Sequence, residues 1–371
     1  IHQRMPVGLP RSDKGLDIEM LKRLFSVKEA RIASQLSALP EPLSKVHDRL
    51  SKHGMKISKV TLQEKLDDMV KRGLISGTRS HWIGPPEKRK YSLAQFAVGI
   101  YEFQVDKQDK ELASLAEEYL REQFYKEFHK KGVPPQIRTI PVGESLTPEH
   151  TVGTYDDIIS IIDKKEGPFS IINCVCRQSH DLIEEPCELS DMRRCCVMLH
   201  PKEEITYDVE DVEDISKEEL VELLNVYRKE GFVLQPENAQ DPRYICVCCG
   251  CCCGVLQSAK QFPRPAEYYH SNYYAKVDSD ACNGCGVCER RCQMDAIDLI
   301  EEKAVVNLDR CIGCGNCVPT CGMEAMQLIP REKTVIPPKD RDALYRKIML
   351  KKKGLIGSIG IVGRMLFGKK V

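Results

Sequence analysis

Nineteen cysteines lie between Cys174 and Cys321, with none elsewhere in the 371-residue chain. Eight of them form two runs of identical spacing. The first is Cys282, Cys285, Cys288 and Cys292; the second is Cys311, Cys314, Cys317 and Cys321. Both read C-x2-C-x2-C-x3-C, a spacing that suits thiolate ligation of four-iron cubanes. Three thiolates two residues apart wrap one face of a cube, and the fourth reaches the other cube more easily than its own. One [4Fe–4S] cluster is therefore expected on Cys282, Cys285, Cys288 and Cys321, and a second on Cys311, Cys314, Cys317 and Cys292. Gly284, Gly286, Gly313 and Gly315 let the backbone pass close to the sulfides. Zinc is the competing chemistry, but zinc sites pair CxxC knuckles and do not use a four-cysteine run twice.

The other eleven cysteines come as Cys174-Val-Cys176-Arg177, then Cys187, Cys195 and Cys196, then Cys246-Val-Cys248-Cys249-Gly-Cys251-Cys252-Cys253. This thiolate density predicts one further [4Fe–4S] cluster on Cys174, Cys176, Cys187 and Cys196. Another is expected from Cys246, Cys249, Cys252 and a neighbour. Zinc or spare buried thiols are the alternatives. Arg177 is a candidate donor to a cluster sulfur.

Residues 277–300 repeat at 306–329 with an offset of 29, so two copies of one supersecondary unit are expected. With its two cysteine runs, this segment resembles the 2[4Fe–4S] domain of bacterial-type ferredoxins. It departs from that pattern where the family has proline after the fourth cysteine: here stand Gln293 and Gly322. The order CxCR, then CxCCxCC, then paired ferredoxin runs resembles a group of 4Fe–4S dicluster proteins of anaerobic bacteria. The resemblance extends to a winged-helix-like head and implies iron–sulfur binding and electron transfer.

The elements that must position these residues read as an α+β chain. Apolar periodicity predicts helices over 16–38 with a break near Ser26, over 43–52, and over 58–71. Gly73 ends the third, and a hairpin follows with Lys90 to Leu93 as its second strand. That order is winged-helix-like. A charged helix over 106–131 leads to Pro134-Pro135. Beyond it, 154–165 reads as a helix and 169–175 as an apolar strand. Ser216 caps a helix with Glu219 completing a capping box, and short strands are expected near Phe232 and Tyr244. The domains predicted are a winged-helix-like head (1–100), a helical connector (101–137), a cysteine-rich α+β domain (138–265), a ferredoxin domain (266–335) and a basic amphipathic tail (336–371).

Charge balances at 55 basic and 55 acidic residues, but 1–100 carries 19 Lys/Arg against 10 Asp/Glu. On the third helix and wing, Lys59, Lys65, Lys71, Arg72, Arg79, Lys88, Arg89 and Lys90 could meet phosphates. Protein docking is the stronger expectation for such a head, and DNA the weaker. The tail has no acid after Asp342 and holds eight basic residues around 354–368, an apolar stretch too short to span a membrane. It suits an anionic membrane surface or a membrane-bound partner. CxC, CxxC and CC pairs in a chain of this size, without a leading apolar run, predict a reducing cytoplasmic location, peripheral to the membrane's inner face. The expected role is that of an electron carrier relaying single electrons between redox protein partners in anaerobic metabolism. The alternative is a redox-responsive DNA-binding regulator, and a catalytic subunit ranks third. No histidine or nucleophile motif points to chemistry beyond redox.

Overall fold

The structure, a computed structural model, describes residues 4–78, 85–145, 153–366 and 370, apart from the side chains of 86, 144 and 355–366. Helices combine with antiparallel sheets throughout, an α+β arrangement. In the head, α1 (Leu16–Leu24) and α2 (Val27–Ser34) part at Ser26. Its hydroxyl accepts the Glu29 N–H while the Glu29 carboxylate accepts the Ser26 N–H, which satisfies donors of the first turn. The helices α3 (Leu43–Lys52) and α4 (Lys59–Lys71) follow. Leu62, Leu66, Met69 and Val70 of α4 face Ile32, Leu36, Val46 and Leu50 in one apolar core. The strands β1 (Glu41–Pro42), β2 (Ile75–Gly77) and β3 (Lys90–Leu93) form a sheet of order β1-β3-β2. Periodicity could not reveal β1, because two residues have no period. Arg79 lies outside the described residues.

The end of α4 is fastened to the body. Gly73 takes φ +73°, and a Cβ there would stand 2.4 Å from that of Phe103. The Lys71 carbonyl accepts the Asp208 N–H at 2.7 Å. The connector helix is shorter than 106–131. Asp109 caps α5 (Lys110–Tyr119), and a π-helical turn (Leu120–Phe124) joins it to α6 (Tyr125–Phe128).

At the centre stands a five-stranded antiparallel sheet of order β6-β4-β5-β8-β7. Its strands are β4 (Phe169–Asn173), β5 (Arg194–Met198), β6 (Val212–Ile215), β7 (Val233–Pro236) and β8 (Tyr244–Cys248). Side chains alternate between its two faces. Phe169, Ile171, Cys195, Val197, Ile245 and Val247 meet α7 (Ile158–Asp163) and α9 (Lys217–Glu230). Ile172, Cys196, Met198, Tyr244 and Cys246 face the core formed by α1 and the connector. The Ser216 capping box at α9 is present. The strand expected to reach 175 stops at Asn173, because Cys174 begins α8 (Val175–Leu182). The helix expected over 154–165 is a 3-10 turn (Thr154–Asp156) followed by α7, which Asp157 caps.

After α10 (Gly254–Lys260), the repeat region forms β9 (Tyr273–Val277), α11 (Val287–Arg291), β10 (Ile297–Ile300), β11 (Lys303–Val306) and β12 (Met326–Pro330). Pairing crosses between the copies. The first strand of copy one, β9, pairs with the last strand of copy two, β12, with Val277 opposite Met326. The β10–β11 pair sets Ile297 opposite Val306, the same register moved by 29 residues. The tail forms α12 (Arg341–Leu366), whose course breaks at Gly354 (φ +67°). No helix among the described residues is long and apolar enough to cross a membrane.

Candidate metal centres

The crossed pairing decides where the two cysteine runs meet. Each run leaves a strand, turns through glycines and ends just before the strand that pairs with the other copy. One cavity is lined by Cys282, Cys285 and Cys288 of the first run together with Cys321 of the second. Val277, Leu299, Ala304 and Met326 close its apolar wall. The second group follows the same logic. Burial pushes the Cys314 thiol up to about 12, and the neighbouring Cys292 and Cys311 add to it. Cys317 is raised by burial too, with Cys314, Cys311 and Cys292 as its charged neighbours.

Backbone donors meet these sulfurs in a symmetric pattern. The Ala304 N–H donates to Cys282 Sγ at 3.5 Å, and the Ala275 N–H, 29 residues earlier, donates to Cys311 Sγ at 3.4 Å. The Ala296 N–H donates to Cys292 Sγ at 3.3 Å. Glycine is required at two equivalent places. Gly284 takes φ +71° and a Cβ there would lie 2.2 Å from the Glu302 carbonyl oxygen; Gly313 takes φ +68° and would meet that of Tyr273 at the same distance. A four-thiol cavity, N–H groups directed at sulfur and backbone too close for a Cβ together fit [4Fe–4S] clusters. Buried thiols with raised pKa values lose their protons to cationic iron when a cluster binds.

The remaining cysteines divide into two groups because residues along β8 alternate. Cys246 and Cys248 point to one face, while Ile245, Val247 and Cys249 point to the other. On the Cys249 side, Cys187, Cys249, Cys251 and Cys252 have their sulfurs all within 4.8 Å of one another. The opposite side holds Cys176, Cys196, Cys246, Cys248 and Cys253, and Cys174 contacts Cys176 there while also packing against the core on the Cys249 side. Cys196 and Cys246 are cross-strand partners in the β5–β8 register. Cys176 contacts Cys174 and Cys253, and Cys248 contacts Cys246 and Cys253. Cys174 sits at the N-terminus of α8 and Cys253 at that of α10.

This grouping differs from the sequence expectation. Cys187 stands with Cys249 and Cys252 rather than with Cys174, Cys176 and Cys196. Cys246 stands with Cys174, Cys176 and Cys196 rather than with Cys249 and Cys252. The reason is strand pleat: neighbours three residues apart at the end of β8 face opposite ways. Sequence reasoning left Cys248, Cys251 and Cys253 unassigned. The run Tyr-Ile-Cys-Val-Cys-Cys carried the signal, since a strand alternating through it separates 246 and 248 from 249. Cys195 belongs to neither group, and its Sγ faces the Met192 carbonyl at 3.7 Å.

The Cys246 side of this region joins the ferredoxin module through one buried core. Cys248, Cys253, Cys288, Cys311 and Cys317 share it with Val233, Met294 and Ile312. Polar contacts fix the seam. Asn316 Nδ2 donates to the carbonyls of Gly231 at 2.8 Å and Phe232 at 3.2 Å, and Arg291 Nη2 donates to that of Arg228 at 2.8 Å.

The crossed cysteine geometry agrees with a comparison to known protein families. Residues 274–322 match the 4Fe-4S dicluster domain. That segment is a ferredoxin-type 4Fe-4S domain. No curated protein and no solved structure matches the chain.

Proposed function

We propose that the chain is an iron–sulfur electron-transfer protein or subunit that relays single electrons between redox protein partners in anaerobic metabolism. The observation that carries this reading is the shared core. Thiols of the ferredoxin-type domain and thiols of the Cys174/Cys246 group pack into one water-poor interior, so centres held there lie in continuous protein. Cys282, Cys285, Cys288 and Cys321 would hold one [4Fe–4S] cluster, and Cys311, Cys314, Cys317 and Cys292 the other. Four thiols among Cys174, Cys176, Cys196, Cys246, Cys248 and Cys253 would hold a third. Such clusters supply reversible one-electron chemistry when bound. The chain supplies the rest. It excludes water, directs N–H groups at the sulfurs of Cys282, Cys292 and Cys311, and leaves Cys285 at the surface as the exposed edge of the first site.

The test is an anaerobic redox titration of the full-length protein followed by electron paramagnetic resonance. Three one-electron centres that accept electrons reversibly from a low-potential donor support the reading. Clusters that never cycle without destruction would sink it.

The head gives the second reading. From α2 onward its order of helix, strand, two helices and two strands supports a winged helix, which makes DNA binding by a redox-responsive regulator the alternative. Among the basic residues of its third helix and wing, Arg72 and Arg89 are already engaged. Arg72 Nη1 pairs with Glu29 at 2.6 Å and Asp68 at 3.1 Å, and Arg89 Nη1 pairs with Asp67 at 2.5 Å. Together with the fastening of α4 to the body, this favours docking to protein. Sequence-specific, salt-sensitive DNA binding by the full chain would reverse that order.

A further inference from the structure

Four thiols can serve a cubane or a single ion, and the spacing of their sulfurs separates the two. In a cubane each thiolate binds a different iron, so the ligand sulfurs stand apart by the width of the cluster. Around one tetrahedral ion with bonds of about 2.3 Å, the sulfurs stand about 3.8 Å from one another. Cys187 Sγ lies 3.7 Å from Cys249 Sγ and 3.6 Å from Cys251 Sγ, and Cys251 Sγ lies 3.7 Å from Cys252 Sγ. Among the described residues, no other set of three or more cysteine, histidine or acidic side chains draws its ligand atoms this close. Cys282, Cys285, Cys288 and Cys321, which line a cavity instead, are the internal contrast.

We propose that Cys187, Cys249, Cys251 and Cys252 bind one zinc ion as a tetrahedral tetrathiolate, a structural site distinct from every iron–sulfur centre in the chain.

A second observation points to an anion at this place. Arg177 is 1 % exposed. One of its nitrogens donates to the Met192 carbonyl, Nη2 has no hydrogen-bond partner, and the guanidinium lies 4.3 Å from the Phe232 ring centroid. Among the described residues no carboxylate pairs with it. A buried cation without a counterion is strongly unfavourable. The ionisable groups near it are the thiols of Cys195, Cys249, Cys174 and Cys187, two of them in the proposed site. Zinc with four thiolates carries a net charge of about −2, which supplies the missing counterion. Backbone N–H groups of Ser190 and Glu188 face the sulfurs of Cys187 and Cys251, as donors do around a structural site.

The site has a mechanical role. Cys187 lies in the segment between α8 and β5, and its partners lie in the loop between β8 and α10, 62 residues along the chain from Cys187 to Cys249. One ion ties the two loops at the edge of the central core. Zinc does not change oxidation state, so this site stands apart from the proposed electron path, and failure of either reading leaves the other intact.

The experiment uses anaerobically purified full-length protein. Metal analysis should find one zinc per chain beside the iron. Zinc-edge X-ray absorption should show four sulfurs at about 2.3 Å, with no nearby iron. Cys187→Ser should lower zinc content at least tenfold and leave iron unchanged. Nitrogen or oxygen in the zinc shell, absence of zinc from the wild type, or loss of iron on Cys187→Ser would each overturn the proposal. If Cys187→Ser does not fold, the wild-type absorption measurement decides alone.

Discussion

Gln293 stands where ferredoxin-type runs carry proline, and its side chain does what proline cannot. Its Oε1 accepts the Gly250 N–H at 2.7 Å, which joins the end of the first cysteine run to the loop carrying Cys249 and Cys251. Gly250 must be glycine at this contact, since a Cβ would lie 2.4 Å from the Gln293 carbonyl oxygen. Gln293→Ala is therefore expected to cost about 1 kcal/mol, and Gly250→Ala more, by forcing the loop off the domain. Thermal unfolding of anaerobic protein checks the order of the two midpoints. The crossed cavity makes a sharper prediction. Cys292→Ala should abolish the paramagnetic signal of the site on Cys311, Cys314 and Cys317 and preserve that of the site on Cys282, Cys285 and Cys288. Loss of the opposite signal would reject the assignment. The meeting of the two cysteine runs was legible because their spacing is that of a ferredoxin-type domain. The grouping of Cys187 and Cys246 was not, because it depends on where β4 and β8 end and which face each residue then takes.

Charge does not describe all of helix α12. Beside the basic residues that suit an anionic surface or a membrane-bound partner, Leu344 and Ile348 are fully buried. Arg341 Nε lies 3.6 Å from Glu237, and Lys352 pairs with the buried Glu127. The first turns of the helix are part of the body. Leu344→Ala should destabilise the protein by about 2–5 kcal/mol, whereas a chain ending after Gly354, which gives up the Lys370 contacts with the head, should lose less than that, as thermal unfolding would show. A second element-level contact carries a pH signature. His129, after α6, lies 3.0 Å from Ser258 Oγ and 3.2 Å from the Val255 carbonyl of α10. Burial lowers its pKa from 6.5 to about 4. The unfolded chain then binds more protons than the folded one between about pH 4 and 6.5, so this group makes stability rise with pH across that window. His129→Leu should flatten the slope of the thermal midpoint against pH there, relative to wild type. Long periodic helices such as α4 and α9 could be read from sequence. Short α8 could not, because eight residues that begin with a buried cysteine look like the end of an apolar strand.

At the scale of the molecule, head and tail meet. Lys352 Nζ lies 3.3 Å from the Met5 carbonyl and Lys370 Nζ 3.0 Å from that of Ser34. The tail is therefore fastened to the head by Lys352 and Lys370. We expect the rest of it to hold the protein against an anionic membrane surface or a membrane-bound partner; the side chains of 355–366 and residues 367–369 lie outside the described residues. Flotation of full-length protein with anionic vesicles at low salt, lost at high salt and in a chain ending at Gly354, is the expected result. A full-length protein that stays with the solution in every condition rules out the lipid surface. The place of the ferredoxin-type domain was legible from its cysteine runs and the repeat. The packing of the connector against the sheet was not, since nothing local marks which face of an amphipathic helix meets which strand. The crossing of the repeat also has a consequence in time. The cavity that Cys288 helps to line is completed only by Cys321. On a ribosome adding roughly 5–20 residues per second, the fourth thiol trails the third by about 2–7 s. Throughout that interval a nascent chain presents three cysteines and one open corner. Cluster insertion during synthesis would meet a half-built socket, and a burst of oxygen would find its easiest target in chains still being made.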